Sequence, residues 1–217
     1  MVASTSDSAL SQFITKARTS DFARASKFKV VVSFPPKALN TPPAAGFNSD
    51  MASMISMYCD SVNMPGMSYV QETFRIYGPS YTRPQVADFG DTCTLNLLVD
   101  KTYSIKTMFE AWMNLVIDPN TFIASYPTDY LSSGIIISAV SHSDAKYQSS
   151  GTDILTHSVR LIDAWPTSMT VAPFDASSPS IQRLTVTFAY VKWTSAYNGA
   201  TPPSDTDSVT PNVTAGP

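Results

Sequence analysis

Few groups in this chain could carry out chemistry. The two cysteines, Cys59 and Cys93, and the two histidines, His142 and His157, are the material for a thiol–imidazole nucleophile, which needs a base beside the sulfur and a third group to orient the base. No Gly-x-Ser-x-Gly elbow, His-Glu-x-x-His pair or Gly-rich phosphate loop accompanies them. The cysteines allow one disulfide at most and lack metal-ligand spacing, so buried free thiols are expected. His157 falls in a strand pattern and reads as a satisfied sheet residue. Asp88 with Asp91, or Asp129 beside Tyr130, would supply the paired carboxylates of a glycosidase. Aspartate is also a turn residue that hydrogen-bonds its own backbone, and that reading is adopted. No catalytic, cofactor-binding or metal-ligating residue is assigned.

Composition narrows the field further. Hydrophobic residues make up 43% of the 217 and charged residues only 14%, well under the average for a globular chain. Such a weakly charged surface repels its own copies little. The net charge of -3 argues against a protein that grips nucleic acid, because that needs clustered cations. The nearest approach to a cluster, Lys16, Arg18, Arg24, Lys27 and Lys29, is interrupted by Asp21 and apolar residues. The opening "MVASTSDSALSQF" has neither the basic start nor the apolar run of a signal peptide, no membrane-spanning run occurs, and Asn212-Val213-Thr214 reads as a chance glycosylation match.

The elements that would position any site are mostly strands. Leu10, Phe13, Ile14 and Ala17 recur at helical spacing behind Asp7, predicting a short amphipathic N-terminal helix. Phe28, Val30, Val32 and Phe34 alternate along a first strand that stops at Pro35-Pro36. A Pro- and Ala-rich loop spans Pro35 to Asp50. "MISMYCDSVNMPGMS" reads as extended and ends in a Pro65-Gly66 turn where Gly would accept positive φ. A hairpin follows, with arms Tyr69–Tyr77 and Gln85–Val99 joined through Gly78, Pro79 and Pro84; Cys93, Leu95, Leu97 and Val99 form its inward row. Polar residues occur on both faces of this hairpin, which is unusual for one packed only on its own domain.

Ile105, Met108, Phe109, Trp112, Leu115 and Val116 then share one stripe of a helix. Strands are predicted over Gly134–Ser141, Ile154–Ala164 and Ile181–Trp193. After Trp193 the chain turns to Ser, Thr, Pro, Asp and Gly and reads as a tail without its own fold. Trp165-Pro166 is expected to form an architectural corner, Trp165 buried and Pro166 stopping the preceding strand. The fold class is α+β, mainly β, with a sandwich or barrel-like frame and one flanking helix. Its divisions are an N-terminal arm over 1–18, one domain over 19–193 and a C-terminal tail over 194–217.

Several stretches, taken in order, resemble one family. "TSDFARASKFKVVV", "YCDSVNMPGM", "TFRIYG", "TLNLLVD", "FEAW", "DAWPTSMTV" and "LTVTFAYVKW" are similar to the tail tube proteins of contractile-tailed, T4-like bacteriophages, over about residues 19 to 193. The resemblance implies a non-enzymatic virion protein without cofactor. Its sheets would join those of neighbours into a hexameric ring with an inner barrel, and the rings would stack into a tube inside a contractile sheath. It implies sheath, baseplate, tube-initiator and terminator proteins as partners, assembly in the host cytoplasm, and passage of viral DNA without specific binding or membrane contact. Baseplate tube initiators share the family, and the expanded loop over 35–50 and the extra tail leave that role open. A carbohydrate-binding β-module is the alternative from another class. Under the tube reading Asp21, Phe22, Arg24, Met64, Pro65, Gly66 and Met67 are the expected contacts between subunits.

Overall fold

The computed structural model describes residues 9–19, 23–35, 37–38, 50–141, 154–175, 177, 180–197 and 201–203. The elements in chain order are α1 (Ala9–Thr19), β1 (Phe28–Ser33), α2 (Asp50–Tyr58), β2 (Cys59–Val62), β3 (Ser68–Phe74), β4 (Tyr81–Asp88), β5 (Thr92–Leu98), α3 (Ser104–Val116), α4 (Pro127–Tyr130), β6 (Gly134–Ser141), β7 (Ile154–Ile162), β8 (Trp165–Val171), β9 (Arg183–Ala189) and β10 (Lys192–Tyr197). One antiparallel sheet, sheet A, has the order β1-β6-β7-β10; a second, sheet B, has the order β2-β5-β9-β8; β3 and β4 form a ribbon of their own. Neither four-stranded sheet closes on itself.

Alternation along each strand decides what lies between the sheets. Val30, Val32, Ile135, Ile137, Val159 and Leu161 point inward from sheet A, and Leu95, Leu97, Leu184, Val186 and Phe188 from sheet B. α3 completes this core with Ile105, Met108, Phe109 and Trp112, all buried. Trp112 and Phe109 meet Phe188 at ring-centroid distances of 5.8 and 5.9 Å, and Trp112 donates its indole N–H to the Tyr130 carbonyl at 2.8 Å. Each such side chain contributes about 1.5 to 3 kcal/mol through burial.

The structure departs from the sequence reading in several places. "DMASMISMY" is helical in α2, not extended; Met51, Met54, Ile55 and Tyr58 carry the helical spacing, and unbranched Met suits a helix. The second arm of the expected hairpin breaks at Phe89–Asp91: β4 pairs with β3, whereas β5 pairs with β2 and β9. The expected last strand divides at Tyr190–Val191 into β9 of sheet B and β10 of sheet A. β10 runs to Tyr197, so residues 194–197, read as the start of the tail, are paired with β7. Further on, Pro202 is buried and the Pro203 carbonyl accepts a hydrogen bond from Thr194 Oγ1 at 2.9 Å.

The Trp165-Pro166 corner is also built differently. β7 ends at Ile162 because Asp163 turns the chain with φ 54°, and β8 then starts at Trp165. Pro166 therefore lies inside a strand and does not stop the preceding one. It is buried opposite Phe188, on the edge strand of sheet B, where a missing N–H is tolerated. Trp165 is only half-buried, edge-on to Tyr130 at 6.0 Å. Val191 N–H donates to the Ile162 carbonyl at 3.1 Å. The paired chains β7–β8 and β9–β10 thus cross from one sheet to the other side by side.

Candidate assembly surface

The groups that could have done chemistry are kept apart or held in structural roles. Cys59 and Cys93 are free thiols on sheet B, whereas His157 lies on sheet A with its ring 4.9 Å from that of Tyr197; His142 lies outside the described residues. Burial pushes the Cys59 thiol up to about 11 and the Cys93 thiol up to about 12, the reverse of an activated nucleophile. Asp88 Oδ1 accepts the Gly90 N–H at 2.9 Å, closing a turn, and Asp129 pairs with Lys37 at 2.5 Å. Among the described residues no cluster of His, Cys, Asp and Glu could hold a metal ion. No described helix is long and apolar enough to cross a membrane.

The two tryptophans left for stacking on a sugar are engaged as well. Trp165 meets Tyr130, and Trp193 stands edge-on to Phe89 at 6.1 Å while donating to the Gly66 carbonyl at 3.1 Å.

What the fold leaves open is backbone and one ribbon. Every residue of β3, and all of β4 except Ala87, is exposed. Register pairs Val70 with Val86, Glu72 with Arg83 and Phe74 with Tyr81 on one face, and Tyr69 with Ala87, Gln71 with Pro84 and Thr73 with Thr82 on the other. Polar residues therefore occur on both faces, as expected, and Val70, Val86, Phe74 and Tyr81 gather on the face that also carries Glu72 and Arg83. Phe74, Ile76, Tyr81 and Arg83 surround a hollow of about 350 Å³ on that face. Its tip turns through Tyr77 (φ 48°) and Gly78 (φ 97°), and the Tyr77 side chain is 99% exposed. A two-stranded ribbon is marginal alone in water. Sheet A additionally ends in the edges of β1 and β10, and sheet B in those of β2 and β8.

The root of the ribbon gathers most of the expected contact residues. Met64 and Met67 are exposed and Pro65 is half-buried. Gly66 is not in the positive-φ region, contrary to the expectation for its turn, and a methyl group there would meet nothing within 4 Å. The demanding glycine is Gly90, with φ 73° and a Cβ position 3.1 Å from Tyr190 Oη. That hydroxyl donates to the Phe89 carbonyl at 2.8 Å, and burial, with nearby Cys93 and acidic groups, raises its pKa. Arg24 and Met64 line one groove of about 550 Å³ with Asp60, Ile137 and Ala139. Asp21 and Phe22 lie outside the described residues. The sequence reading missed Phe74, Tyr81 and Gly90; alternation about the Pro84 bulge is the signal that bears on the first two.

The model of the phage tail tube protein family matches residues 23–196. The chain belongs to that family. No curated protein matches it by sequence. Among solved structures it is similar to a chain of the sheath-tube complex of an extracellular contractile injection system, PVC, in its extended state, at TM-score 0.53 and 19% identity over 84% of this chain and 97% of that one. It is also similar to a chain of the anti-feeding prophage baseplate (TM-score 0.55, 12% identity, 83% and 99% covered) and one of the tube-terminating cap of the same particle (TM-score 0.53, 17%, 81% and 91%). Among the described residues, the β3–β4 ribbon and the edge strands β1, β10, β2 and β8 carry no further strand partner.

Proposed function

We propose that this tail tube family member is a subunit of the inner tube of a contractile-tailed phage, acting through assembly rather than catalysis. The observation that carries this reading is the β3–β4 ribbon, paired with no other strand among the described residues and presenting Val70, Phe74, Tyr81 and Val86 at 41 to 63% exposure. Exposed strand edges invite further pairing, and a closed ring removes them. Six copies would join sheet edges into a ring barrel, with ribbons lying against neighbouring copies and rings stacking into a tube. Arg24, Met64, Pro65, Gly66 and Met67, with Asp21 and Phe22 preceding them, are proposed for contacts between copies. Sheath and baseplate proteins are the proposed partners, viral DNA the transient cargo, and assembly precedes release of the virion from the host cytoplasm.

Negative-stain microscopy of the purified chain, alone and with a baseplate seed, tests this directly. Rings or rods of one width are expected. Protein that stays monomeric at high concentration and ignores the seed would overturn the reading. A tube initiator within the baseplate is the second reading. What supports it is the similarity to a chain of the anti-feeding prophage baseplate, at TM-score 0.55 over 83% of this chain. Truncation after Pro203 separates the two: a shaft subunit still grows rods, whereas an initiator loses its baseplate contact.

A further inference from the structure

The loop between α3 and α4, residues 117–126, presents apolar side chains to water from a well-bonded frame. Phe122, Ile123 and Tyr126 are 68 to 81% exposed, and Ile117 is exposed too. The Ile117–Ala124 bridge closes the frame. Phe122 N–H donates to the Asp118 carbonyl at 2.8 Å, Asp118 N–H to the Ile123 carbonyl at 3.2 Å and Ser125 N–H to the Val116 carbonyl at 3.0 Å. The Asp118 carboxylate accepts the Asn120 N–H and the Thr121 hydroxyl, both at 2.9 Å. These bonds hold Phe122 at φ 56°, a conformation that a bulky side chain rarely takes. Strain of this kind persists only where the surroundings enforce it, and it collects at contact and ligand sites. A strained aromatic within an exposed apolar cluster marks a contact surface.

A complementary surface lies at the other end of sheet A. β1 and β6 pair from Ser33 opposite Gly134 at one end to Phe28 opposite Ala139 at the other. The loop belongs to the first end: Phe34 packs on Trp112 of α3 at 5.1 Å, and Ser132, just after α4, donates its hydroxyl to the Ser33 carbonyl and its N–H to the Ala164 carbonyl. The groove of about 550 Å³ belongs to the second, lined by Phe28, Ile137 and Ala139 of sheet A and by Val62 and Met64. Charge agrees with shape. Asp118 is the only charged residue over 117–126, and the hydrogen bonds from Asn120 and then Thr121 hold its carboxyl below the ordinary value. Arg24 and Lys27 stand on the groove, whose one acid among the described residues, Asp60, is paired with Arg183.

We infer that the 117–126 loop of one copy seats Phe122 and Ile123 in the groove formed by Val62, Met64, Ile137 and Ala139 of a second copy, in the next ring. This rests on the tube-subunit reading and adds which two surfaces meet. In a ring closed through strand edges, lateral neighbours occupy those edges, and the strand ends are left for the rings above and below. Two unlike surfaces at opposite ends of one sheet make a heterologous contact. Each pairing leaves one of each surface free, so the contact repeats without closing, as a tube of any length requires. Arg24 and Met64, proposed above for contacts between copies, thereby acquire a partner element. One loop in one groove is a small contact, but every subunit of a ring makes it together, and linked sites bind far more tightly than single ones.

Substitutions in the full chain test the contact. Phe122→Ser removes an exposed side chain and should leave the thermal midpoint of the subunit unchanged or higher, while rods seen by negative stain fall about tenfold or more and single rings remain. Ile123→Ser gives the same readings should Phe122→Ser fail to fold. Proximity is read by combining Ile123→Cys with Ala25→Cys, an exposed position on the groove, and oxidising assembled tubes with copper-phenanthroline. Disulfide-linked ladders should run past the proposed six chains of one ring, because linkage between rings has no end whereas linkage within a ring closes. The parent and each single variant should give no ladder. Undiminished rods from a folded Phe122→Ser or Ile123→Ser, or no ladder past one ring's worth of chains in tubes that do form, overturns the inference and leaves the loop to a partner outside the tube. If the parent chain forms no tubes, the tube-subunit reading fails first and this contact falls with it.

Discussion

Trp193 donates its indole N–H to the carbonyl of Gly66 at 3.1 Å, joining residues 127 positions apart. The bond ties β10 of sheet A to the point where β2 of sheet B gives way to the ribbon. Phe89, at the ribbon's other root, stands edge-on to the same indole. Trp193→Phe keeps an aromatic ring but removes the donor. It is expected to cost about 1 kcal/mol in urea unfolding and to speed proteolysis at residues 75–80 more than elsewhere. Equal protection of the tip in both proteins would mean that the bond does not hold the ribbon.

Gly66→Ala separates folding from assembly. Its backbone is compatible with a side chain and the space is open, so the isolated subunit should lose no stability and gain up to about 1 kcal/mol from a less flexible unfolded state. If Gly66 lies at a contact between copies, ring or rod formation falls while the thermal midpoint does not. Unchanged assembly would remove it from the contact.

Gly90→Ala should behave in the opposite way. The positive φ costs alanine about 1 to 2 kcal/mol, and the new methyl would press on Tyr190 Oη at 3.1 Å. A drop in the unfolding midpoint is expected even where no tube forms. No drop would show that the turn relaxes freely.

Asp100 organises the start of α3 from outside it. Its carboxylate accepts hydrogen bonds from Ser104 Oγ at 2.6 Å and from the Ile105 N–H at 3.4 Å, as well as from Thr102 Oγ1. Partial burial raises its pKa, but the Ser104, Thr102 and Ile105 hydrogen bonds outweigh it and the net direction is down. A lowered folded pKa stabilises above the ordinary carboxylate value, about 4, and that stabilisation is lost as pH falls through the folded value. Asp100→Asn should cost up to about 1 kcal/mol at neutral pH, the net worth of a hydrogen bond, with the gap to the parent closing in strong acid. A gap independent of pH would point to shape rather than charge.

The thiols give a check on burial. With Cys93 pushed up to about 12 and Cys59 up to about 11, both stay protonated near neutral pH, and a thiol reagent should label the native subunit far more slowly than the unfolded chain. Fast native labelling of Cys93 would contradict its place in the core.

Where a pattern depends only on one chain's own period, the sequence was legible. Alternation placed Leu95, Leu97, Leu184, Val186 and Phe188 inward, and helical spacing placed Phe109 and Trp112 on the core face of α3. The same alternation concealed the corners: Leu184, Val186, Phe188 and Tyr190 keep one period up to the crossing between sheets, because a side chain on the inner face stays inner when its strand changes sheet. The methionines of α2 carry a helical period in a stretch short enough to pass for a strand.

What residue order determined by itself was therefore the inner face of each element, since burial follows local period. Which strands pair, where the paired chains β7–β8 and β9–β10 cross between sheets, and which edges remain unpaired were decided only in three dimensions. Those outcomes depend on hydrogen bonds between residues such as Trp193 and Gly66, whose meeting no local pattern encodes.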